Sequence, residues 1–109
     1  MGRRIVILAS AEQDLKELRS YLIKNFSAKT WQDSYSKIKD AIRHLQQFPY
    51  AGIIPDELEK LSLSQYRQVL SGMNRIIYEV RQDTAYIHII ADTRRDMSGL
   101  LTRRLLRVN

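Results

Sequence analysis

The sequence predicts an α+β fold in the order β-α-α-β-β-β with a C-terminal helix, an αα-hairpin packed on a small antiparallel sheet. Three observations predict it. Apolar residues recur at helical spacing through the first part of the chain. After residue 64 the period changes to that of strands rich in β-branched and aromatic residues. Those late strands are separated by turns of a few residues, which suits antiparallel pairing. At 109 residues the chain is long enough for one core, so a single domain spanning 1–109 is expected.

Arg3 to Ala9 reads as the opening strand, an apolar and β-branched run bounded by Ser10. Ser10 is a natural helix N-cap, Gln13 sits at the capping-box position, and Glu12 and Asp14 fall in the first turn, where the helix dipole favours acids. Ala11, Leu15, Leu18 and Leu22 then give an amphipathic helix over 11–25, broken at Asn25-Phe26-Ser27. A second helix is expected from Ala28 to Gln47, with Trp31, Tyr35, Ile38, Ile42 and Leu45 forming one core-facing stripe and Pro49 ending it. So short a break makes the two helices antiparallel neighbours. From Pro49 to Ser64 the chain reads as a loop, with Gly52, Pro55 and the acidic run at 56–59. Three strands follow: Tyr66–Leu70, Arg75–Arg81 and Thr84–Ala91, joined at Ser71-Gly72 and Gln82-Asp83. Met97 to Arg107 closes the chain as a short basic amphipathic helix. The hairpin covers one face of the sheet; the other must be curved, small or covered by something else.

Composition excludes several function classes. There is no cysteine, so disulfides and cysteine-based metal sites or nucleophiles are out. His44 and His88 lie in different elements and do not make a zinc site; no metal and no cofactor is expected. Neither a Gly-rich phosphate loop nor a G-x-S-x-G elbow occurs. The longest apolar runs are a few residues, too short for a membrane span. The basic start followed by Ile5–Ala9 is cut short by Ser10, Glu12 and Asp14, against a signal peptide. A cytoplasmic location is expected, which the lack of cysteine permits.

Net charge is +6, favouring acidic partners such as nucleic acid or an acidic protein. The charge is uneven. Residues 1–64 carry 10 basic and 8 acidic groups, a net of +2; residues 65–109 carry 8 and 4, a net of +4. All the basic groups of the second part are arginines, whose planar fork suits paired contacts to carboxylate or phosphate. A solvated face kept for solubility would look the same.

Several segments, in order and on the expected elements, carry a family resemblance. They are the opening strand running into Ala11-Glu12-Gln13-Asp14-Leu15, the segment Leu45-Gln46-Gln47-Phe48-Pro49-Tyr50-Ala51-Gly52, and Tyr66-Arg67. The others are Arg75-Ile76-Ile77-Tyr78-Glu79-Val80, and Ile87-His88-Ile89-Ile90 with Asp92-Thr93-Arg94-Arg95-Asp96-Met97 after it. Over nearly its whole length the chain resembles the ParE/RelE superfamily of type II toxins, and the ParE branch more closely. The resemblance implies the toxin of a toxin–antitoxin operon of the plasmid-stabilising kind. Such a toxin is neutralised by a cognate acidic antitoxin in a hetero-oligomer. The ParE branch implies a DNA gyrase inhibitor and no enzyme; the RelE branch implies a metal-independent mRNA endoribonuclease acting on the ribosome.

Metal-free RNA cleavage needs a base, an acid and cations for the phosphorane-like charge. RelE-like members supply these with lysine, arginine and a tyrosine near the C-terminus. Here the last lysine is Lys60 and the last tyrosine Tyr86. For a nuclease the candidates are His88 and Glu79, with Arg67, Arg75 and Arg81 as phosphate clamps. Strict alternation puts Arg75, Ile77, Glu79 and Arg81 on one strand face, which an ion-pair ladder would also require. The same alternation places His88 with Tyr86 and Ile90. For a gyrase inhibitor the target-binding candidates are Arg94, Arg95, Arg103, Arg104 and Arg107. A plain basic nucleic-acid-binding module is a further alternative, with Tyr66, Tyr78 and Tyr86 as a stacking surface.

Overall fold

The computed structural model describes residues 4–106. The elements run β1 (Arg4–Ile7), α1 (Ala9–Asn25), α2 (Ala28–Gln47), α3 (Asp56–Lys60), β2 (Tyr66–Ser71), β3 (Asn74–Arg81), β4 (Thr84–Asp92) and α4 (Met97–Leu105). Element order is as the sequence predicts, with one addition: the acidic run at 56–59 winds into α3 behind Pro55. Ser10 does not cap α1, which starts two residues earlier than expected, at Ala9 behind Leu8; the Ser10 hydroxyl points instead to the His88 carbonyl at 3.4 Å. Ser27 does cap α2, its Oγ accepting from the Thr30 amide.

The sheet has the order β1-β4-β3-β2. β2, β3 and β4 form the expected antiparallel meander, and β1 adds to β4 in parallel, Ile5 beside Ala85 and Ile7 beside Ile87. Both meander turns begin with a left-handed residue, Gly72 (φ 60°) and Gln82 (φ 56°). Glycine occupies the first at no steric cost; Gln82 carries a modest penalty for its Cβ.

Apolar side chains pack on both faces. Ala11, Ile38 and Leu45 of the hairpin meet Ile76, Tyr78, Ala85, Ile87 and Ile90 on one side. On the other, Ile77, Ile89 and Ala91 are covered by Leu58 of α3 and by Met97, Leu100 and Leu101 of α4. The cover that the second face required is thus the C-terminal helix and α3. Within the α2 stripe, Ile38 and Leu45 are buried as expected, while Tyr35 stays 37% exposed and Trp31 half-buried. Trp31 and Tyr35 stack on each other at 5.0 Å, with Lys39 over the Tyr35 ring.

One irregularity in β4 shapes everything nearby. Tyr78 pairs with Ile87 and Ile77 with Ile89, which leaves His88 as an extra residue, a β-bulge. Alternation reverses across it. Ala85 and Ile87 face the hairpin, then Ile90 does, while Ile89 and Ala91 face α4. His88 therefore does not share a face with Ile90, as strict alternation predicts; it shares one with Tyr86 and Glu79.

Candidate functional site

The arginines of the last third divide into groups with different surroundings. Arg75 is 9% exposed. Its fork makes paired bonds to Glu57 at 3.0 and 3.1 Å, and its Nε donates to Gln68. Those bonds hold the Glu57 carboxyl below its ordinary pKa, against the opposing effect of burial. Arg67 lies beside the opposite core, donating to the Gly52 carbonyl at 2.8 Å and covering the Tyr50 ring. Neither reaches the other nuclease candidates.

Three of the five nuclease candidates do come together. His88 Nε2 and Glu79 Oε1 are 2.9 Å apart, with side chains 17% and 12% exposed. Arg81 reaches the same oxygen at 3.1 Å while lying over the Tyr86 ring. Tyr66 sets its ring edge-on to His88 at 5.0 Å. Burial, and then the charge of Glu79, pushes the Tyr66 hydroxyl above its usual pKa. A carboxylate–imidazole pair can hold and relay a proton, and one arginine can meet one phosphate. The ion-pair ladder is half present, since Glu79 bonds Arg81 but Arg75 bonds Glu57. The three tyrosines make no common stacking surface: Tyr78 is 0% exposed, and Tyr66 only 8%.

The second group surrounds the junction of β4 and α4. Asp92 binds the Arg94 guanidinium at 2.8 and 2.9 Å and accepts from the Arg94 amide, which holds the Asp92 carboxyl below its ordinary value. Arg94 stays largely exposed in that pairing. Arg95 and Arg103 are exposed and make no ion pair among the described residues. Arg107 lies outside the described residues. A cleft of about 420 Å³ opens beside Arg94 and Arg95, lined also by Leu18, Tyr21, Ile90 and Asp92.

Arg104 is different. Its side chain is 19% exposed and its fork grips Asp14 of α1 at 3.0 and 3.1 Å, while the same guanidinium donates to the His88 carbonyl at 2.8 Å. Asp14 is itself 9% exposed and also accepts from the Ile90 amide at 3.0 Å. Sequence reasoning placed Asp14 in a first turn and gave it no partner. A signal was present: Asp14 lies three residues after Ala11 and four before Leu18, on the apolar face of its helix.

Comparisons with known proteins agree with this architecture. A family model described as the ParE toxin of the type II toxin–antitoxin system parDE matches residues 5–97. The fold is similar to a solved chain of the chromosomal ParDE toxin–antitoxin system from P. aeruginosa (TM-score 0.69, 14% identity, covering 83% of this chain and 95% of that one). It is also similar to a mutant of the E. coli toxin RelE in the free state (TM-score 0.64, 11% identity, covering 100% of both chains). Comparison with curated protein sequences finds no match.

Proposed function

The chain belongs to the ParE toxin family of type II toxin–antitoxin systems, and from that membership we propose that it arrests replication by binding DNA gyrase and is silenced by a cognate acidic antitoxin. The observation that carries this reading is the set of exposed arginines at Arg94, Arg95 and Arg103, the first two of them inside the matched residues 5–97. Arg94 and Arg95 lie just past the end of β4 and Arg103 in the last turn of α4, all exposed, and such charge favours an acidic protein or the DNA that gyrase holds. Inhibition by binding asks for no assembled catalytic set.

A second reading, ribosome-dependent cleavage of messenger RNA, is favoured by a separate observation. Glu79, His88 and Arg81 lie within bonding distance on one sheet face. Induction in cells separates the two. Loss of supercoiling with linear DNA and intact transcripts supports gyrase; fragmented transcripts with normal supercoiling overturn it. In the first case Arg95→Ala with Arg103→Ala weakens growth arrest by at least about tenfold and changes stability by less than about 0.5 kcal/mol, as surface substitutions do. Full arrest by that double variant removes these arginines from the contact. Glu79→Gln is neutral on the gyrase reading and silences a nuclease.

A further inference from the structure

β1 ends at Ile7, its last ladder contact continued only by the Leu8 amide bonding the Ile87 carbonyl. Beyond that point β4 has no strand on that side. The bulge at His88 then turns a backbone carbonyl and, two residues on, the Ile90 amide toward α1. Buried backbone groups without partners are costly. Here side chains replace the missing strand: Asp14 accepts from the Ile90 amide, and Arg104 donates to the His88 carbonyl. The two side chains also bind each other through both arms of the fork. One cluster therefore joins α1, the bulge and α4 across 90 residues of chain.

α4 needs such a fastening. A helix of nine residues does not hold together alone in water. Met97, Leu100 and Leu101 bury its first turns on the sheet, and toward its end Arg104 is the polar link to the body of the protein. Arg103, its neighbour in sequence, points to solvent.

We propose that Asp14 and Arg104 are positioning residues: their buried pair fixes α4 against the β4 bulge and so holds Arg103, on that helix, in place for target binding. The functional half rests on the gyrase reading above; the structural half does not. Arg104 thus acts through Asp14 rather than by touching the target. Asp14→Asn is the informative variant, because it leaves every arginine in place and keeps an acceptor for the Ile90 amide.

Hydrogen exchange of the full chain and growth arrest in cells test the two halves together. In Asp14→Asn and in Arg104→Ala, α4 amides exchange at least about tenfold faster while β3 amides stay protected, the pattern of local opening. Both variants lose growth arrest to the same degree, the double variant is no worse than either single one, and Arg104→Lys is intermediate. The proposal is overturned if Arg104→Ala loses arrest while Asp14→Asn keeps it with α4 protected, for Arg104 then meets the target itself. Equal loss of protection in β3 and α4 also overturns it, since the pair is then a core element and not a local fastening. Wild-type exchange in both variants does the same. If the wild type leaves supercoiling untouched, the gyrase reading fails by itself and the exchange data still decide the fastening.

Discussion

Tyr78 has 0% exposure, and its hydroxyl sits between two backbone groups of the loop after α2. It donates to the Pro49 carbonyl at 2.7 Å and accepts from the Gly52 amide at 3.0 Å. Gly52 has no room for a side chain: a Cβ there would lie 2.6 Å from the Tyr78 hydroxyl and 2.7 Å from the Gln68 carbonyl. Pro49, Gly52 and Tyr78 are therefore one device that staples the loop to β3. Tyr78→Phe leaves a buried carbonyl and amide unpaired and costs about 1–3 kcal/mol. Gly52→Ala costs at least as much, because the Gln68 carbonyl is backbone. Urea midpoints measure both, and an unchanged midpoint for either would refute the staple. Burial pushes the Tyr78 hydroxyl above its ordinary value of 10.0. The neutral phenol is the folded form, so this stability is present below pH 10 and is lost as pH rises through the folded value. Tyr78→Phe should lack that alkaline component.

At the level of elements, the short helices are held by arginine forks. α3 has five residues and keeps its place through Leu58 in the core and Glu57 on Arg75. The Glu57 carboxyl is held low first by that hydrogen bond. A depressed acid stabilises above its unfolded pKa, here the ordinary 4.5, and its contribution disappears as pH falls through the folded value. Glu57→Gln therefore costs about 1–2 kcal/mol at neutral pH, a figure discounted for its partial exposure. Thermal melts at neutral and at strongly acid pH check this. The gap between wild type and variant closes in acid; a constant gap would mean that the charge of Glu57 does not matter. α4 repeats the pattern with Arg104 and Asp14, but its fork reaches a helix at the other end of the chain.

For the whole molecule the relevant quantity is charge. The net +6 is concentrated in the second part of the sequence, on a body of 38 × 36 × 23 Å. Arg75 and Arg104 are neutralised inside by Glu57 and Asp14, so the outward field comes from the others. An acidic antitoxin should be drawn in by that field. We expect its association rate to fall by about tenfold or more between 50 and 500 mM salt, with dissociation changing less. Stopped-flow mixing with the proposed antitoxin gives both rates. A rate indifferent to salt would mean that the arginine surface takes no part in recognition.

Local information was enough for every element except α3, which the loop-like run from Pro49 to Ser64 concealed. The spacing of Ala11, Leu15 and Leu18, the helix stop at Pro49, and the β-branched runs around Ile76 and Ile89 each depend on near neighbours, and periodicity records those directly. The arginine-rich end and the family resemblance were equally visible in the chain. Only the tertiary structure decided which arginines face solvent. Arg103 and Arg104 are adjacent and chemically alike, yet one is exposed and the other grips a carboxylate 90 residues away. The bulge at His88 reversed the strand faces and moved Ile90 to the opposite core from the one alternation assigned it. The first outcome depends on what satisfies the open edge of β4 beyond β1, the second on the register of β4 against β3. Each is a pairing between distant segments, and no local pattern encodes it.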